Sequence, residues 1–126
     1  RWQRRISVGR TVMIAPPNQG SAIAEAIKDK NSYQWIFGAA GQELTRSHAP
    51  SLPAYEHEFG VIAGGTGGSR GFNPLLDGDN DGTVRTAETQ LEGATDTRVI
   101  KSSHTFLAGH PETVKATLNF LSNGEF

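Results

Sequence analysis

Phe59-Gly-Val-Ile-Ala-Gly64, the glycine-rich run on to Gly71, and then Asp77-Gly-Asp-Asn-Asp-Gly-Thr-Val84 form the stretch on which the fold turns. Phe59-Gly-Val-Ile-Ala63 is apolar without alternation, the pattern of a strand covered on both faces in a parallel sheet. The residues after it are glycine-rich and then acidic, so the chain leaves the sheet there through a long loop. Two more runs share the strand character. Thr11-Val-Met-Ile-Ala15 is stopped by Pro16-Pro17, and Arg98-Val-Ile-Lys101 leads into Ser102-Ser-His-Thr-Phe106.

Helices fill the intervals. Asn18-Gln-Gly-Ser21 reads as a turn, with Ser21 placed to cap the helix after it. There Ile23, Ala26 and Ile27 recur at helical spacing, with Glu25, Lys28 and Asp29 on the other side. Trp35-Ile-Phe37 forms an apolar knot, a small helix is expected over 39–44, and Pro50 and Pro53 break the pattern. The last element opens with Pro111 at its first position and Glu112 in its first turn, and Gly124 closes it. Val114, Leu118 and Leu121, joined by Phe120, are expected on its buried face. Strands alternating with helices predict an α/β fold: about three mostly parallel strands, right-handed crossovers and flanking helices.

The 126 residues suit a single domain, complete or partial. Residues 1–9 are expected to fray or to belong to a preceding segment, and Arg1, Arg4, Arg5 and Arg10 fall within the first ten positions. A start at Arg1 rather than Met points to a fragment or processed form, so any targeting segment would lie outside it. Hydrophobic content of 36% and charged content of 20% argue against disorder. A net charge of −1 supplies no attraction for nucleic acid or an anionic membrane. The chain has no cysteine, which excludes a disulfide framework and thiolate chemistry and leaves the compartment open. No apolar run approaches the roughly 18–20 residues of a membrane span.

In a parallel sheet, groups that act on ligands gather beyond the carboxyl ends of the strands. His104 falls just past one strand-like run and Asp81 in the loop before that run. A histidine acting as a base takes a proton through one ring nitrogen while a carboxylate holds the other and fixes the tautomer. An acid and then a histidine is also the tail of the Ser…Asp…His order of hydrolases built on parallel sheets. On spacing alone, an exposed acidic turn and an ordinary loop histidine are the favoured reading of these two residues.

Six segments, in order, resemble one family: Thr11-Val-Met-Ile-Ala-Pro-Pro-Asn-Gln-Gly-Ser21, Phe59-Gly-Val-Ile-Ala-Gly64, Asn73-Pro-Leu-Leu76, Asn80-Asp-Gly-Thr-Val84, Leu91-Glu-Gly93 and His104-Thr-Phe106. The family is the bacterial lipase/esterase branch of the α/β-hydrolase superfamily, the triacylglycerol-lipase-like proteins. The similarity runs from about Arg10 to Asn123-Gly-Glu-Phe126 and implies the C-terminal half of that fold. By this resemblance Asp81 matches the triad acid and His104 the triad base. The implied activity is carboxylic-ester hydrolysis through an acyl-enzyme, on a small-molecule ester or lipid, with no cofactor. The family's nucleophile elbow and part of its oxyanion hole would precede residue 1, so the chain alone is expected to be inactive.

A literal elbow, Gly67-Gly-Ser-Arg-Gly71, surrounds Ser69, but Gly71-Phe-Asn-Pro74 does not start the helix such a turn needs. Neither Ser69 nor Ser21 is expected to be a nucleophile. Asp77, Asp79, Asp81 and Glu88 literally match a Ca²⁺-loop pattern. The glycine-rich approach supplies no incoming helix, so no metal site is expected. His48, His57 and His110 lack partners at metal spacing. His57 between Glu56 and Glu58 reads as a solvated approach to a strand, and His110 as a helix boundary. The rival to the hydrolase reading is a non-catalytic binding or interaction module, with Ca²⁺ held through the Asp77 to Glu88 loop. As a hydrolase part, the chain is expected to pair with the missing N-terminal half, or with itself, through Thr11-Val-Met-Ile-Ala15.

Overall fold

In a computed structural model, residues 9–20 and 57–126 are described. Three strands, β1 (Thr11–Ile14), β2 (Phe59–Gly65) and β3 (Asp96–Lys101), form one sheet in the order β1-β2-β3. Both pairings are parallel, with Thr11 opposite Phe59 and Gly60 opposite Asp96. This is an α/β arrangement, as the alternation of strand-like and helical segments implies. The helix placed after Ser21, the Trp35 to Phe37 knot, the 39–44 helix and His48 lie outside the described residues, as do residues 1–8.

Central position explains the composition of β2. Every one of its residues is buried, so no position is left for a polar side chain. The pattern of Thr11-Val-Met-Ile-Ala15 predicts a strand covered on both faces. Instead β1 is half-buried and Ile14 exposed, because β1 lies at an edge of the described sheet. It also ends one residue early: Ala15 turns to φ 47°, although its N–H still donates to the Ile62 carbonyl at 2.7 Å. β3 starts at Asp96, two residues before the expected Arg98, and buries only Ile100 fully. It is the other edge.

After β3 come a short helix α1 (His104–Leu107) and the long helix α2 (Pro111–Asn123). Pro111 opens α2 as expected, the His110 ring accepts from the Glu112 N–H at 3.2 Å, and Gly124 closes it at φ 86°. Its buried face differs from the expected one. Phe120 is buried as expected, but Thr113 and Ala116 share its face, while Val114, Leu118 and Leu121 are exposed. Gly60 of β2 presents bare backbone beneath Phe120: a Cβ there would come 2.5 Å from the Phe126 ring and 2.8 Å from the Phe120 ring. The rings of Phe126 and Phe120 fill that gap together, tilted against each other at a centroid distance of 4.8 Å. Ile62, Ile100, Leu107, Ala116 and Ala15 complete the core on this side. Arg10 ties the helix end back to the sheet, donating to the Leu121 and Ser122 carbonyls and to Glu58.

His57 is half-buried, not solvated, and its Nε2 lies 2.7 Å from the Thr11 hydroxyl. Among the described residues no helix is long and apolar enough to cross a membrane.

Candidate functional site

β2 and β3 are adjacent and parallel, so the loops that leave them emerge at the same end of the sheet. Asp81 is on the first of these loops. His104 is on the second, as the opening residue of α1. Nδ1 of His104 lies 2.7 Å from Oδ2 of Asp81. The backbone adds a second tie, because the His104 N–H donates to the Asp81 carbonyl at 2.8 Å.

The two side chains differ in exposure in a way that suits the pairing. The Asp81 side chain is 1% exposed and that of His104 42%. A buried carboxylate needs compensating donors, and Asp81 has them. Its Oδ1 accepts from the N–H groups of Thr83 (2.9 Å) and Val84 (2.7 Å), which leaves Oδ2 for the imidazole. With Nδ1 held by an acceptor, the neutral ring carries its proton on Nδ1 and presents Nε2 as an acceptor. Such a pair can take a proton from a group placed at Nε2.

The loop end of β2 is shaped for this. A Cβ on Gly64 would meet the Asp81 Cβ at 2.7 Å, and one on Gly65 would meet the Asp79 carboxylate at 2.5 Å. The two acids straddle a strand end that has no side chains. Asp79 accepts from the Thr66 N–H and hydroxyl, the Gly67 N–H and the Asn80 N–H. Burial opposes its ionisation, but the hydrogen bonds from Thr66, Gly67 and Asn80 outweigh it and hold its carboxyl below the usual carboxylate range.

Asp77, Asp79, Asp81 and Glu88 do not converge. Asp77 is exposed, Asp79 clamps the β2 exit, Asp81 faces His104, and Glu88 is buried against the Arg85 guanidinium at 3.0 Å. Among the described residues no three His, Cys, Asp or Glu side chains are grouped as a metal site. Ser69 is exposed in the loop after β2, and no helix follows it before the single tight turn at Thr86–Thr89. Ser21 lies outside the described residues. A groove of about 850 Å³ between β3 and α2, lined among others by Arg98, Lys115, Leu118 and Phe126, contains neither Asp81 nor His104.

Sequence reading singles out Asp81 and His104 but assigns no part to Asn80, which is wholly buried beside the acid. The signal is present. Asn73, Asn80 and Asp81 each accept from the N–H two residues on, the local bond that Asx residues form in turns.

No family model matches the chain, and no curated protein does. Two solved structures are similar. One is the crystal structure of Bacillus licheniformis lipase BlEst2 in its mature form, with 21% identity and a TM-score of 0.65 over 90% of this chain and 55% of that one. The other is the same lipase in its propeptide form, with 20% identity and a TM-score of 0.73 over 90% of this chain and 30% of that one. The fold is therefore lipase-like. The chain spans about half the length of the mature lipase and under a third of the propeptide form.

Proposed function

We propose that this chain is part of a carboxylic-ester hydrolase of the lipase/esterase kind, supplying the acid and base of a Ser-His-Asp triad whose serine lies outside these 126 residues. The observation that carries the reading is the 2.7 Å contact between His104 Nδ1 and the buried Asp81 carboxylate. In this reading Asp81 orients His104 and stabilises the imidazolium, while Nε2 takes the proton of the serine hydroxyl as it attacks an ester carbonyl. His104 then returns that proton to the leaving alcohol, and water hydrolyses the acyl-enzyme by the reverse of the same transfers.

The complementing part of the domain would pair with the outer edge of β1. Thr11 and Ala15 donate their N–H groups to the Glu58 and Ile62 carbonyls, so by alternation those of Val12 and Ile14 face away from β2. Such an edge takes a strand from the complementing half or, without it, from a second copy.

Hydrolysis of a p-nitrophenyl ester, by this chain alone and by a longer polypeptide containing it, tests the reading. The expected result is no turnover alone, and turnover in the longer form that is lost in both Asp81→Asn and His104→Ala. Turnover in the longer form that both substitutions leave intact would overturn it.

A further inference from the structure

Asn80 is wholly buried, and every polar group it owns is used. Its Nδ2 donates to the carbonyls of Asn73 at 3.1 Å and Gly78 at 3.0 Å. Its Oδ1 accepts from the N–H groups of Asn73 at 2.9 Å and Gly82 at 3.0 Å. Its own N–H donates to Asp79, and its carbonyl accepts from the Phe72 N–H. A side-chain amide has two donors and one oxygen with two lone pairs, so none of its capacity is left over. Gly71 lies directly against this amide, and a Cβ there would run into Asn80 N, Cγ and Nδ2.

The geometry points to Asn80 as the positioning residue of the acid. Its bonds join 72–73, 78–79 and Gly82 into one unit, and Asp81 sits inside that unit. The Thr83 and Val84 amides that hold Asp81 Oδ1 come immediately after Gly82. Asn80 thus sets the turn, the turn aims the carboxylate, and the carboxylate sets the tautomer of His104. No residue of similar size replaces it. Aspartate lacks the two donors and would press a carboxylate against the Asn73 and Gly78 carbonyls, and leucine makes none of the four side-chain bonds. The inference rests on the proposed role of Asp81 and His104, but its readout does not require ester turnover.

Long-range ¹H–¹⁵N correlation spectra of the His104 ring at neutral pH provide that readout in this chain, with Asn80→Ala, Asn80→Asp and Phe120→Leu compared. Phe120→Leu weakens the core at α2 and touches no part of the acid loop. The expected result is an Nδ1-protonated ring in the unsubstituted chain and in Phe120→Leu. Both Asn80 variants should lose that signal and revert to the Nε2-protonated tautomer while circular dichroism shows them folded. A folded Asn80→Ala that keeps the Nδ1 signal overturns the proposal, and so does loss of the signal in Phe120→Leu as well.

If the Asn80 variants do not fold, native-state hydrogen exchange on the unsubstituted chain decides. The Asn73 and Gly82 amides, bound to Asn80, should then exchange together with the Thr83 and Val84 amides, bound to Asp81. Rapid exchange at Asn73 and Gly82 with full protection at Thr83 and Val84 overturns the proposal. Spectra that support the clamp alongside an absence of ester hydrolysis by the longer polypeptide would sink the hydrolase reading alone.

Discussion

The Cβ of Asp81 occupies the space that a side chain on Gly64 would need: a Cβ added at Gly64 would lie 2.7 Å from it. The acid reaches His104 because the strand beneath it has nothing there to hold it off. The same added carbon would sit 2.9 Å from the Ser102 carbonyl and 3.1 Å from Leu107, so no direction is open for it.

Gly64→Ala should therefore cost about 1–3 kcal/mol, as overpacking of a closed site does, and should separate Asp81 from His104. Gly68→Ala is the comparison, since its Cβ would meet only the Thr66 hydroxyl, at 3.4 Å. That change should stay within about 0.5 kcal/mol. Urea midpoints of the two variants check both values, and equal midpoints would contradict the account of the strand end.

Asp79 makes stability depend on pH. Its carboxyl is held below the usual value in the folded chain, so the unfolded chain binds its proton first as pH falls. Its contribution is fully present above the unfolded pKa of about 3.9, and it is lost as pH drops through the lower folded value. Asp79→Asn should lower the unfolding midpoint at pH 7 and lower it less near pH 2. A gap between the two proteins that is the same at both pH values would contradict this.

In an ester-hydrolysing polypeptide that contains this chain, Asp81→Asn should lower kcat by a factor on the order of 10³–10⁴. The asparagine keeps the shape of the acid but no longer enforces the Nδ1–H tautomer. KM should change little, because neither residue is required to hold the substrate in its ground state. Steady-state kinetics separate the two parameters, and a rise in KM at constant kcat would assign Asp81 to binding instead.

The outer edge of β1 should drive association of the isolated chain. Val12 packs against the core, whereas Ile14 is 37% exposed on that edge, so Ile14→Lys adds a charge without emptying the interior. Sedimentation at low micromolar concentration should show dimers or larger species for the unsubstituted chain and monomer for the variant. Monomer in both cases would mean that the edge is not the association surface.

Much of this is legible in the sequence because it depends on neighbours along the chain. Apolar runs mark β1 and β2 and the Val99-Ile100 pair marks β3, Pro111 and Gly124 bound α2, and the placement of Asp81 and His104 after β2 and β3 comes from counting residues past each strand. The tertiary structure decides what depends on neighbours across the fold. Periodicity puts Val114, Leu118 and Leu121, joined by Phe120, on one face of α2. Of that set only Phe120 is buried, on a face it shares with Thr113 and Ala116, because its ring and that of Phe126 fill the space over the bare backbone of Gly60, a neighbour far away along the chain. Spacing also makes Asp77, Asp79, Asp81 and Glu88 equivalent members of one pattern. They diverge in space because a carboxylate settles where its donors are, and those donors sit on different elements: the β2 exit for Asp79, the Thr83 and Val84 amides with His104 for Asp81, and Arg85 for Glu88.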